Sequence, residues 1–193
     1  MNHQTIIVLD FGGQYNQLIA RRVREANVYC EVKPCSISPA EIEKIAPIGI
    51  ILSGGPQSVY ESVSPHVDPA LFALGIPVLG ICYGCQLMAY SLGGTVAAAT
   101  EATAREYGKT LTEFDTDCSI FQGLPASSVT WMSHGDYISQ VPDGFAVTAK
   151  TAVCPTAAMA CPEKKLYGVQ FHPEVQHTVE GSEMLRRFLY TVC

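Results

Sequence analysis

Short continuous apolar runs alternate with longer amphipathic stretches over the first half of this chain. The run Thr5 to Leu9 reads as a buried strand that ends in the turn Asp10-Phe11-Gly12-Gly13. Leu18, Ile19, Val23 and Ala26 then recur on one helical face, with Arg21, Arg22 and Glu25 on the other. Tyr29 to Lys33 predicts a second strand. In Ser38-Pro39-Ala40-Glu41 an N-cap serine, a proline at the first helical position and a glutamate at the third form a capping box before Ile42 and Ile45. Ile48 to Leu52 predicts a third strand. This β-α-β-α-β pattern implies a parallel sheet with helices on both faces and a ligand site at the carboxyl ends of its strands.

A helix is predicted over Asp68 to Leu74, stopping at Gly75, and Pro77-Val78-Leu79 leads as a strand into a further helix that stops at Gly93-Gly94. Beyond it the texture changes. Val96 to Ala99, Lys109 to Phe114, Val129 to Met132, Phe145 to Lys150, Ala157 to Cys161 and Leu166 to Phe171 read as short strands separated by turn signals. A last amphipathic helix starts near Ser182 and carries Met184, Leu185, Phe188 and Leu189. The expected fold is α/β, a central mixed, mostly parallel sheet flanked by helices, with short antiparallel strands in the C-terminal half. No repeat or linker divides the chain, so residues 1–193 are expected to form one domain, long enough to bury roughly 70% of the unfolded surface.

Composition narrows the function classes. A net charge of −6 and the absence of a basic tract argue against nucleic-acid or anionic-membrane partners. The run Ile6 to Leu9 is too short for a signal peptide or a membrane span, so a cytoplasmic location is expected. Eight cysteines in a chain of this size, with no secretory signal, are expected to be reduced thiols. Their spacings do not match a structural zinc site, and no metal is expected.

The stretch Gly80-Ile81-Cys82-Tyr83-Gly84-Cys85-Gln86 has the form G-x-C-x-G, the thiol counterpart of the G-x-S-x-G elbow, in which small flanking residues let the chain turn sharply and expose a nucleophile. At a helix N-terminus a thiol meets unpaired N–H groups that favour the thiolate. Two other readings stand beside this one: Cys82 as a buried structural residue, and Cys82/Cys85 as a redox pair of the C-x-x-C type. Cys85 would then resolve an oxidised Cys82, or else pack into the core. At the end of the last strand comes His172-Pro173-Glu174, where Glu174, two residues on in extended chain, would lean toward the His172 ring and hold its tautomer. A thiol on one strand end with a histidine and a carboxylate on another make a nucleophile, base and orienter.

These motifs, the second taken as Val169-Gln170-Phe171-His172-Pro173-Glu174, together with Asp10-Phe11-Gly12-Gly13-Gln14-Tyr15, Ser53-Gly54-Gly55-Pro56, Arg105-Glu106-Tyr107-Gly108 and Ser133-His134-Gly135-Asp136, span nearly the whole chain in one order. That order resembles the class I glutamine amidotransferases, the Cys-His-Glu glutaminase domains. The stretches Asp-Phe-Gly-Gly-Gln, Cys-Tyr-Gly and Arg-Glu-Tyr-Gly point within the family to the branch that converts XMP to GMP. The resemblance implies that Cys82 attacks the side-chain amide of glutamine, His172 handles the protons and Glu174 orients His172. It puts the oxyanion hole on the backbone N–H groups of Gly55 and Tyr83, typically worth about 3 kcal/mol per donor. It puts Gly54, Gln86, Ser133, Gly135 and Asp136 on the substrate, and leaves His134 as a structural turn residue.

It further implies that the ammonia goes to an ATP pyrophosphatase domain or subunit. ATP and magnesium are expected only there, and this chain is expected to be an excised domain or a separate subunit without a cofactor of its own. Cys85 departs from the branch, which has a bulky apolar residue such as Met in its place. The rivals are an amidotransferase subunit of another pathway such as anthranilate synthase, whose Cys-Leu-Gly and His-Pro-Glu-Ser differ from the residues here, a C-x-x-C thiol–disulfide oxidoreductase, and a silent binding module.

Overall fold

The computed structural model describes residues 4–99 and 105–193. In chain order the elements are β1 (Thr5–Asp10), α1 (Asn16–Glu25), β2 (Tyr29–Pro34), α2 (Pro39–Ile45), β3 (Gly49–Leu52), a 3-10 turn (Pro69–Ala73), β4 (Val78–Ile81) and α3 (Tyr83–Ser91). There follow β5 (Thr95–Ala98), β6 (Glu106–Phe114), β7 (Ser127–His134), β8 (Asp136–Gln140), β9 (Ala146–Lys150), β10 (Ala158–Cys161), β11 (Leu166–Val169) and α4 (Gly181–Arg187), which continues into a π-helical turn at Phe188–Val192.

Nine strands form one sheet in the order β2-β1-β3-β4-β11-β10-β9-β6-β7, while β5 pairs with β8 apart from it. The first five are mutually parallel. Only β10 and β6 are reversed, so nine less two, or seven, strands point one way. The sheet is mixed and mostly parallel, as the sequence pattern implies.

Period-two alternation in β1 divides the core between the two faces of the sheet. Ile6 and Val8 pack with Ile19 and Val23 of α1 and with Phe188. Ile7 and Leu9 pack with Ile42 of α2 and with Leu87 and Met88 of α3. All of these side chains are fully buried, each contributing about 1.5–3 kcal/mol relative to exposure. Helix α2 begins as its sequence dictates: Ser38 Oγ accepts from the Glu41 N–H at 3.3 Å, and Glu41 Oε2 accepts from the Ser38 N–H at 2.9 Å.

Two elements differ from expectation. Asp68 to Leu74 is not an α-helix: Pro69–Ala73 forms a 3-10 turn, capped by Asp68 Oδ1 accepting from the Ala70 N–H. Only Leu71 and Phe72 of this segment are buried, and Gly75 at φ +72° ends it after five residues. Strand β8 was not expected, because in Asp136-Tyr137-Ile138-Ser139-Gln140 only Ile138 is buried. Pairing with β5 supplies the order that an apolar pattern does not.

Candidate active site

The carboxyl ends of β3, β4 and β11 lie side by side in the sheet, and each carries one of the sequence motifs. At the end of β4, Cys82 adopts φ +52° and ψ −107°. That conformation costs a residue with a Cβ of the order of 1–3 kcal/mol, and strain of this kind persists where the surroundings impose it. They do so here. A Cβ on Gly80 would lie 2.6 Å from the Gly84 carbonyl, and one on Gly84 would lie 2.4 Å from the Leu52 carbonyl oxygen. Hydrogen bonds from the Cys82 N–H to Val169 O (2.8 Å) and from the Gly84 N–H to Ser53 O (3.1 Å) tie the elbow to β11 and to the turn after β3.

The turn after β1 closes on the same place. Phe11 N–H donates to Ser53 Oγ at 3.2 Å, and a Cβ on Gly13 would meet Gly54 O at 2.4 Å. Gly54 lies against both Cys82 and His172, since a Cβ there would come within 3.2 Å of His172 Cε1 and 3.8 Å of Cys82 Cβ. Among the described residues no acceptor takes the N–H of Gly55 or of Tyr83, the first residue of α3. The first N–H groups of a helix have no partner within it.

His172 and Glu174 are buried, with Nδ1 and Oε1 2.7 Å apart. Strand β11 ends at Val169, so the contact is made within a turn and not by strand alternation as expected. The turn is fastened on several sides. The His172 N–H donates to Trp131 O, Thr178 Oγ1 donates to His172 O, and Arg22 Nε donates to Glu174 O. Gly181 backs Pro173 so closely that a Cβ would sit 2.1 Å from its carbonyl oxygen. Burial opposes the imidazolium, but hydrogen bonding to Cys82 and Glu174 and their negative charge prevail, and the His172 pKa is raised to about 11. Tyr15 and the imidazole meet in a T-shaped contact, with ring centroids 5.3 Å apart.

The Cys82 sulfur lies 3.7 Å from Ser133 O and 3.6 Å from Gln170 Nε2. Two cavities flank it. One, of about 400 Å³, is bounded by the Gly12 to Tyr15 turn, Gly54, Gly55, Ser133 and His172. The other, of about 350 Å³, is bounded by Gly55, Ser58, Gln86, Tyr107 and the segment Ser133 to Asp136. The structure therefore brings together Cys82, His172, Glu174, Gly54, Gly55, Tyr83, Gln86, Ser133, Gly135 and Asp136. Asp136 is already engaged, accepting from Ser58 Oγ at 2.5 Å and from Tyr60 OH at 3.0 Å.

A model of the class-I glutamine amidotransferases matches residues 7–192. The chain belongs to that family. It is 55% identical over 193 residues to a GMP synthase [glutamine-hydrolyzing] of Clostridium botulinum and 57% identical to one of Caldanaerobacter subterraneus. All of this chain is covered in each case, and it spans 37% of the length of those relatives. Among solved structures, a protein described as a GMP synthase subunit, from Thermoplasma acidophilum, matches with a TM-score of 0.84 and 31% identity over 98% of this chain and 94% of that one. A glutamine amidotransferase from Thermotoga maritima shares the fold, with a TM-score of 0.78 at 20% identity over 98% of both chains.

Within this amidotransferase chain Cys85 is fully buried, and its sulfur would lie 2.6 Å from a Cβ on Gly168. Burial pushes its pKa well above the usual thiol range. It fills a core position, so the redox reading lacks an accessible second thiol. His134 is no turn residue: it ends β7, buried, with Nε2 3.4 Å from Glu106 Oε2 and Nδ1 2.9 Å from Asp136 O. Glu106, His134 and Cys154 place donor atoms within 4.8 Å of one another, the one group among the described residues with the composition of a metal site. Gln170, Ser58, Tyr60 and Tyr15 were not singled out in the sequence as site residues. Gln170 and Tyr15 stand inside the motifs that carried the resemblance, which is the signal that could have found them. Nothing marks Ser58 or Tyr60.

Proposed function

We propose that this chain hydrolyses glutamine to glutamate and ammonia, a reading carried by a strained Cys82 whose imidazole partner is itself buried against Glu174. The Cys82 thiol gives its proton to His172, and the sulfur attacks the side-chain carboxamide carbon of glutamine. The oxyanion that forms is met by the N–H groups of Gly55 and Tyr83, a preorganised pair of donors. His172 returns the proton to the departing nitrogen, ammonia leaves, and a thioester to Cys82 remains. Water, activated by His172, releases glutamate and restores the thiol. Glu174 keeps the imidazole in place throughout.

The α-amino acid end of glutamine fits the second cavity. Both Gln86 Nε2 protons are committed, to Asp136 O and to Gln170 Oε1, so the amide offers its oxygen. That oxygen and the Asp136 carboxylate are acceptors suited to an ammonium group. Ser133 and Gly135 complete its wall, and Gly54 borders the adjoining first cavity.

The relatives named GMP synthase support delivery of the ammonia to a synthetase partner, which we propose is an ATP pyrophosphatase domain or subunit that converts XMP to GMP and itself binds ATP and magnesium. Eight unpaired cysteines support a reducing compartment, and so the cytoplasm. Among the described residues no helix is long and apolar enough to cross a membrane. Incubation with glutamine, alone and with the pyrophosphatase partner, tests the reading: glutamate should be released in stoichiometry with ammonia. Absence of glutamate in both mixtures would refute it.

A further inference from the structure

A buried chain of amides reaches the nucleophile, and its polarity can be deduced from one end. The backbone carbonyl of Asp136 can only accept, so the Gln86 atom 2.9 Å from it is Nε2. The other proton of that nitrogen points to Gln170, so the atom of Gln170 3.0 Å away is Oε1. Gln170 Nε2 is then the atom that faces Cys82 Sγ at 3.6 Å. Gln170 is fully buried and Gln86 is 4% exposed, so water does not compete for these groups. Val169, just before Gln170, accepts the Cys82 N–H, which fixes the amide and the nucleophile to the same segment.

We propose that Gln170 is a positioning residue for Cys82, locked by the relay from Asp136 through Gln86 so that it presents an N–H to the sulfur. This deepens the glutaminase reading and rests on it for the identity of the reaction. An N–H donor stabilises a thiolate and gives a neutral thiol nowhere to place its proton, whereas Ser133 O, at 3.7 Å, accepts from the thiol and repels the thiolate. Gln170 therefore opposes Ser133 and draws the sulfur toward the form that attacks. Because Gln86 borders the substrate cavity, the same relay joins the site of the α-amino group to the nucleophile. The titratable groups around the sulfur are His172 with Glu174 behind it, Cys85 in the first turn of α3, Tyr15 against the imidazole, and Tyr107, His134 and Asp136 around the second cavity.

The test is the rate of Cys82 alkylation by iodoacetamide against pH, read by peptide mass, in the whole chain and in Gln170→Glu and Gln170→Met. Gln170→Glu keeps the size and the acceptor for Gln86 but turns an oxygen to the sulfur. Its alkylation midpoint should rise by at least about one pH unit, a tenfold loss of thiolate, since hydrogen bonds to charged groups are the stronger class. Gln170→Met should raise it less, and both should lower kcat for glutamine more than they raise KM. A purely structural Gln170 predicts lowered thermal stability with the wild-type midpoint, and that outcome overturns the proposal. If either variant fails to fold, the wild-type protein decides: the Gln170 side-chain amide resonances should shift as Cys82 titrates and stay fixed in Cys82→Ala. Resonances that ignore Cys82 also overturn it. A shifted midpoint without glutamine hydrolysis would keep the relay and reject the glutaminase reading, so the two fail separately.

Discussion

Among the described residues two buried histidine–carboxylate pairs stand out, one in the turn after β11 and one across β6 and β7, and only the first lies against a thiol. His172 holds Glu174 through Nδ1 at 2.7 Å and reaches the Cys82 sulfur with the rest of its ring. His134 faces Glu106 through Nε2 at 3.4 Å and spends Nδ1 on the Asp136 carbonyl. Burial and pairing are common to both. What differs is the second ring nitrogen: one is left for a reacting atom, the other is tied to the backbone. The second pair is scaffolding, and it supports the carbonyl from which the Gln86 relay starts.

The largest expected effect breaks the first pair from its nucleophile. On the proposed function, Cys82→Ala should bring glutamine hydrolysis to background while ammonia-dependent amination in the mixture with the proposed pyrophosphatase partner survives, because the alanine leaves that partner's chemistry untouched. Parallel assays with glutamine and with ammonium salts check this, and loss of both activities in a folded variant would contradict it. Next come the two members of the pair itself. His172→Ala should lower kcat by about 10²–10⁴, the usual worth of a positioned general acid–base, and by more than Glu174→Ala, which loosens the base without deleting it. Steady-state kinetics of the two variants decide, and equal kcat values would sink the ranking.

The opposite pattern is expected at the second pair. Glu106→Gln keeps the size of the side chain and an amide acceptor for Thr151 Oγ1 but removes the carboxylate facing His134. Among the described residues neither His134 Nε2 nor Glu106 Oε2 has a hydrogen-bond partner beyond this contact, and disturbing a buried polar group that nothing else satisfies costs about 1–3 kcal/mol. Urea unfolding should register the loss, while kcat per folded molecule stays within a few-fold of wild type. A stable Glu106→Gln with a hundredfold lower kcat would show that the two pairs are not functionally distinct.

How much of this was legible in the sequence depends on the kind of signal. The parallel half announces itself: β1 alternates between two cores, Ser38 and Glu41 cap α2, and Gly80 and Gly84 bracket Cys82 because no Cβ fits at either place. In the antiparallel half β8 escaped, since a strand with one buried side chain has no period to detect. Orientation escaped as well. Gln170 and His134 stand inside recognised motifs, yet nothing in a string of residues says that one amide turns its N–H to a sulfur or that one imidazole spends a nitrogen on a carbonyl. Ser58 and Tyr60 reach Asp136 from a loop 78 and 76 residues away in sequence, and only tertiary packing joins them.

The smallest expected effect sharpens the comparison by asking whether the His172 pair is charged. A histidine of ordinary pKa, about 6.5 in the unfolded chain, is raised to about 11 in the folded protein against the cost of its burial, by Cys82 and Glu174. A raised folded-state pKa contributes stability that is fully present below the unfolded value and is lost as pH climbs through the folded one. The window for this contribution therefore runs from about pH 6.5 to about 11, and it closes upward. Glu174→Gln removes one of the two groups that raise the pKa. The difference in unfolding free energy between wild type and Glu174→Gln should be widest near pH 6 and narrow steadily at pH 7.5 and 9. Cys82→Ala, which removes the other group, should show the same closing trend. Chemical denaturation at the three pH values measures both, and a gap that stays constant or widens toward pH 9 would mean that His172 is held neutral in the folded protein.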